Sequence, residues 1–156
     1  MRQLLLLCGF VVGLLPQAAA ARTDHGASVR EGPIAHVLRA LGTRYRYGGA
    51  SPETGFDCSG LIAHVFEQAG RAVPRTARAQ SRVGKPVKRA NLAPGDLVFY
   101  NTRNAPYSHV GMYVGNGRFV HAPRSGARVR IERLDTPYWR ARFNGARRLD
   151  IDNGSH

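Results

Sequence analysis

The sequence predicts a single α+β domain. Three observations carry this: two apolar stripes at helical spacing in the first half, a strand pair around Gly115-Asn116-Gly117 in the second, and a length of 156 residues, enough for one domain with a real core and too short for two.

The elements follow in chain order. "MRQLLLLCGFVVGLLPQAAAARTDH" has an early arginine, an apolar run from Leu4 to Leu15, Pro16, and small residues to Ala21. That is the layout of a secretory signal peptide cleaved near Ala20 or Ala21. The run is short of the roughly 20 residues that span a bilayer, so no stable membrane span is expected. Cys8 in "LLLC" has the look of a lipid-attachment site, but the apolar run continues past it, and lipidation ranks below simple cleavage. The expected division is a signal segment 1–21, a flexible leader 22–32, a folded domain 33–150 and a flexible tail 151–156. The expected location is the periplasm or the extracellular space.

From Pro33, the positions Ile34, Val37, Leu38 and Leu41 recur at helical spacing and stop at Gly42. "TRYRYGGASPETGFD" is rich in turn formers and reads as a loop. Leu61, Ile62, Val65, Phe66 and Ala69 then form a second stripe ending at Gly70, so residues 58–69 are predicted as a core-packed helix with Cys58 at its start. Pro94-Gly95-Asp96 leads into an apolar strand, and "SHVGMYVGNGRFVHA" reads as a hairpin.

With Cys8 removed, Cys58 is alone and cannot form an internal disulfide, so it is either buried and inert or kept for reactivity. A helix N-terminus favours thiolate over thiol, and its free amides can also donate to an oxyanion. The base would come from the hairpin. A two-residue turn alone puts His109 and His121 on opposite faces. A three-residue loop, pairing Val114 with Arg118 and Gly111 with His121, or an equivalent bulge, puts both on one face as a diagonal pair, and this register is the one expected. His109 would then act as base and His121 would orient it. Zinc held by Cys58, His109 and His121 is chemically possible, but no paired-ligand spacing supports it, and no metal or other cofactor is expected. His25, His36, His64 and His156 read as ordinary residues.

Lys plus Arg total 23 against 10 Asp plus Glu, a formal net of +13, or +12 once Arg2 leaves with the signal segment. For an exported protein this points to anionic cell-envelope polymers or a membrane surface, with binding weakened by salt. A generally solvated basic surface reads equally well. The basic residues are spread from Arg71 to Arg148 without aromatic interleaving, so no nucleic acid is expected.

"YRYGGASPETGFDCSGLIAHVF", "VPRTARAQ", "APGDLVFY", "SHVGMYVGNGRFVHA" and "PYWRARFNGARRL" resemble the NlpC-like family of bacterial cell-wall cysteine peptidases over nearly all of Ile34 to Leu149. The resemblance implies a papain-like α+β fold with the cysteine helix packed on a central antiparallel sheet. It implies cleavage of peptidoglycan stem peptides, usually between γ-D-glutamate and a diamino acid such as meso-diaminopimelate. It matches Cys58 to the nucleophile, His109 to the base, His121 to the orienting residue and Tyr45 to the tyrosine beside the thiol. Asp57, Ser59 and Ser108 fall where the family contacts the stem peptide, although Asp57 also reads as a helix cap and Tyr45 as core. Two other readings share these residues: a cysteine acyltransferase that favours an amine over water, and a silent wall-binding module. Loops near Ala50 to Thr54 and Thr102 to Tyr107 would set fine specificity, and a monomer is the default.

Overall fold

Pro33 opens the first helix with a backbone angle already suited to it, and the computed structural model describes the chain from residue 31 to residue 150. The expected signal segment and tail, and all of the expected leader except Glu31 and Gly32, lie outside the described residues. Helix α1 (Pro33–Arg39) is followed by a short hairpin of β1 (Ala50–Ser51) and β2 (Gly55–Phe56), then α2 (Cys58–Gln68) and α3 (Ala77–Gln80). Next come β3 (Lys85–Val87), β4 (Leu97–Tyr100), β5 (His109–Gly115), β6 (Arg118–His121) and β7 (Arg130–Arg133). Helix α4 (Pro137–Arg142) leads directly into β8 (Phe143–Arg148). Six of these strands form one antiparallel sheet in the order β3-β8-β4-β5-β6-β7.

The architecture is α+β, with α1 shorter than its stripe suggested. The helix ends at Arg39, and Leu38 and Leu41 remain 41% and 38% exposed. Only Val37 of that stripe is fully buried, because the apolar surface available to α1 is one side of α2. Among the described residues no helix is long and apolar enough to cross a membrane.

Leu61, Ile62, Val65 and Phe66 of α2 are buried against Leu97 and Phe99 of β4, Val110 and Met112 of β5 and Val120 of β6. At about 1.5–3 kcal/mol for each such side chain, this contact fixes α2 on the sheet. Strand alternation sends Val98, Tyr100 and Phe119 to the other face, where they meet Trp139 of α4. Gly60, in the first turn of α2, lies against the chain at Gly49: a Cβ on Gly60 would come 2.0 Å from the Gly49 carbonyl oxygen. The glycine in "DCSG" is therefore a packing requirement.

The hairpin combines both turn geometries considered from the sequence. Asn116 and Gly117 have φ of 52° and 67°, so the tip is a two-residue turn with Gly115 paired to Arg118, not the expected Val114. Tyr113 pairs with Phe119, which leaves Val114 as the extra residue of a β-bulge. Below the bulge Met112 pairs with Val120, the register that sets His121 across from Gly111. The bulge thus undoes the face change that a two-residue tip alone would impose. Gly111 is needed here too, since a Cβ would come 2.6 Å from the Phe119 ring.

Candidate active site

Asp57 builds the start of α2. It is the N-cap: its Oδ1 accepts from the Gly60 amide at 2.7 Å and its Oδ2 from the Gly48 amide at 3.0 Å. Arg75 then grips the same carboxylate from two nitrogens, Nη1 to Oδ1 at 2.9 Å and Nη2 to Oδ2 at 2.8 Å. Arg75 Nη1 also donates to Ser59 Oγ at 3.0 Å, and Gln80 Nε2 donates to the Ser59 carbonyl at 3.0 Å. Arg75 and Gln80 were not singled out from the sequence, because the 18 and 21 residues that separate them from their partners carry no local signal.

Cys58 follows this cap, 7% exposed and free. Burial pushes its thiol up from the ordinary value, and the Asp57 charge adds to this, while backbone hydrogen bonds from Val110 and Ser59 pull the other way. The helix-start expectation of a lowered value is corrected: desolvation outweighs the amides. The Cys58 N–H has no acceptor among the described residues.

His109 begins β5, one residue before the Val110 backbone that meets the sulfur. It is 3% exposed, and its Nε2 lies 2.8 Å from Nδ1 of the fully buried His121. The pair belongs to the sheet face opposite α2, where the His109 ring stacks on Trp139 at 5.6 Å between centroids. Among the described residues no hydrogen bond joins Cys58 to His109. Burial first, and mutual repulsion second, holds His109 well below its ordinary value, and burial also lowers His121.

A residue absent from the sequence reading completes this row. Glu132 of β7 lies 3.3 Å from His121 Nε2 through its Oε2, a close polar contact without hydrogen-bond alignment, and that ring nitrogen has no other partner. Trp139 Nε1 donates to the same carboxylate, and Arg130 Nε donates to its Oε1 at 2.8 Å. His121 is the largest influence holding Glu132 low, at about 2. The carboxylate is therefore only an acceptor, which fits a proton on His121 Nε2. His121 Nδ1 then accepts from His109 Nε2–H, and the His109 Nδ1 lone pair is left bare.

Tyr45, Asp57, Cys58, Ser59 and Ser108 line one cleft of about 570 Å³. Of these, Ser108 has a further role: its hydroxyl accepts from the Thr102 and Arg103 amides at 2.9 and 3.3 Å and so clamps their loop. Tyr45 is half-buried, and its hydroxyl is pushed up, chiefly by that burial. Among the described residues no group of three or more His, Cys, Asp or Glu is placed to hold a metal ion.

The model of the NlpC/P60 family matches residues 42–148. The murein DD-endopeptidase MepH of Escherichia coli (strain K12) is 38% identical over 141 residues, covering 88% of this chain and 51% of that protein. The gamma-DL-glutamyl hydrolase of Bacillus subtilis (strain 168) is 34% identical over 151 residues, covering 94% of this chain and 35% of that protein. An NLP/P60-family protein of Staphylococcus aureus, described as similar to lipoprotein, superposes with a TM-score of 0.68 at 39% identity, over 74% of this chain and 39% of that one. The chain spans about half or less of these relatives.

Proposed function

From the premise that the chain belongs to the NlpC/P60 family, with its papain-like α+β fold, we propose that it is a cysteine peptidase that hydrolyses peptidoglycan stem peptides. The observation that carries this reading is the buried His109–His121 pair, 2.8 Å apart, which begins one residue before the Val110 backbone that meets the Cys58 sulfur. Cys58 is the nucleophile and His109 Nδ1 its base, oriented by His121 and Glu132. Cys58 Sγ–H gives its proton to His109 as sulfur attacks the carbonyl carbon, and the resulting oxyanion is held by the Cys58 amide. The imidazolium returns that proton to the leaving amine. Water, deprotonated by His109, then attacks the thioester carbonyl, the C–S bond breaks, and the imidazolium returns its proton to the Cys58 thiolate.

The thiol and His109 are not hydrogen-bonded in this structure, and such contacts commonly tighten only when substrate binds. We assign the cut to the γ-D-glutamyl–meso-diaminopimelate amide. The name of the murein DD-endopeptidase relative supports a DD bond as the second reading. The protein is exported and works in the periplasm or outside the cell, where its basic surface draws it to anionic envelope polymers.

Mass spectrometry of diaminopimelate-type muropeptides, incubated with the protein or with Cys58→Ser, tests this directly. New fragments with a diaminopimelate N-terminus, absent with the serine variant, are expected and identify the bond. Muropeptides left intact by both proteins would refute the peptidase reading.

A further inference from the structure

A second cavity, of about 720 Å³, is lined by His109 and shares only Arg103 with the Cys58 cleft. Its walls carry Arg103, Arg124, Arg130 and Arg133 against one carboxylate, Glu132. Two of these arginines are engaged: Arg130 with Glu132, and Arg133 with Asp135 at 2.7 Å. Arg103 and Arg124 have no ion-pair partner among the described residues. The Arg103 backbone is fixed by Ser108, and its charge is felt at Tyr45, Cys58 and His109. The cavity therefore holds two cations without a carboxylate partner, in the space that His109 also lines.

The chemistry of acyl transfer says which part of a substrate enters it. The group that protonates a leaving amine must lie next to that amine, so the space lined by His109 is on the leaving side of the cut bond. The fragment released with the new amine keeps the peptide's terminal carboxylate, and a diaminopimelate residue adds another. We propose that this cavity is the leaving-side subsite, and that Arg103 and Arg124 bind a carboxylate of the released fragment. This rests on the peptidase reading and deepens it. A guanidinium presents the planar pair of donors that a carboxylate fits.

The test compares a stem peptide whose diaminopimelate side carboxylate is free with one in which it is amidated. In the unaltered protein, amidation is expected to lower kcat/KM about tenfold, mainly through KM. In Arg124→Gln and Arg103→Gln the penalty should shrink to about twofold, because the free-carboxylate substrate loses its partner and the amidated one does not. Arg118→Gln, at the hairpin tip, should keep the full penalty. An amidation penalty unchanged in both cavity variants would overturn the subsite. If the unaltered protein cuts neither peptide, the peptidase reading falls, and titration of the dipeptide diaminopimelyl-D-alanine into Cys58→Ala protein decides the subsite. Saturable binding weakened about tenfold by Arg124→Gln supports it, and absence of binding overturns it.

Discussion

Glu132→Gln isolates the part of the row that lies furthest from the sulfur. Glutamine keeps the shape of the side chain but removes the charge, and its amide can turn a donor toward His121 Nε2. That nitrogen can then carry the lone pair, so the proton moves to Nδ1 and His109 Nε2 must accept. His109 Nδ1 becomes protonated and no longer serves as base. A charge-assisted hydrogen bond is worth about 1.5–3 kcal/mol, and this contact lacks the alignment of a full one. The Glu132 side chain is 24% exposed and its His121 contact is 3.3 Å, so the lower end applies, or about a tenfold loss of plateau kcat. Steady-state kcat and KM, measured separately across pH with a muropeptide substrate, are the assay. The proposed mechanism needs neutral His109, so its acid limb should lie below 6.5 in the unaltered protein, because burial lowers that histidine. The Glu132 charge raises the proton affinity of both rings, so its removal should move the limb to still lower pH. A plateau kcat equal to that of the unaltered protein, with the acid limb unmoved, would refute the proton-ordering role.

Two further outcomes concern the scaffold. Gly60→Ala puts a methyl 2.0 Å from the Gly49 carbonyl oxygen, where backbone must move to admit it, so unfolding midpoints in guanidinium should report a loss of about 3 kcal/mol; a loss under about 0.5 kcal/mol, the range of ordinary surface substitutions, would contradict the close approach. Stability should also fall on acidification below about 6.5, since His109 and His121 stay neutral in the fold while the unfolded chain takes up their protons. The Glu132 contribution is lost in turn between about 4.5 and about 2. Denaturant midpoints that stay flat from pH 7.5 to pH 5 would count against neutral buried histidines.

Much of the α2 and hairpin arrangement was readable because its signals are local. The stripe of Leu61, Ile62, Val65 and Phe66 specifies a buried helix face, and Asp57 beside it is a cap by residue type and position. The histidine register was narrower still, since only a bulge or a longer loop puts both rings on one face. Which of these occurs depends on Val114, whose bulge has no sequence mark apart from the positive φ of Gly115 next to it. Glu132 was out of reach for a different reason. It sits in the exposed-looking run "RIER", and its role comes from β7 pairing with β6, which sets it beside Phe119, two residues before His121. Arg75 was hidden likewise until α3 folded back on the α2 cap.

The one electrostatic expectation that failed shows how the proposed site works. A helix start should favour thiolate, yet Cys58 is pushed up by burial while His109 is pushed down by the same cause. Both shifts remove charge, so the resting pair is thiol and neutral imidazole rather than thiolate and imidazolium. Proton transfer then has to accompany attack on the carbonyl. The bare lone pair on His109 Nδ1 must be in place beforehand, since a neutral base with the wrong tautomer has nothing to offer the thiol. In a site charged at rest, Glu132 would mainly stabilise an imidazolium already present. In a neutral one its first task is to decide which nitrogen is free, and this is why its loss should lower kcat at every pH on the plateau.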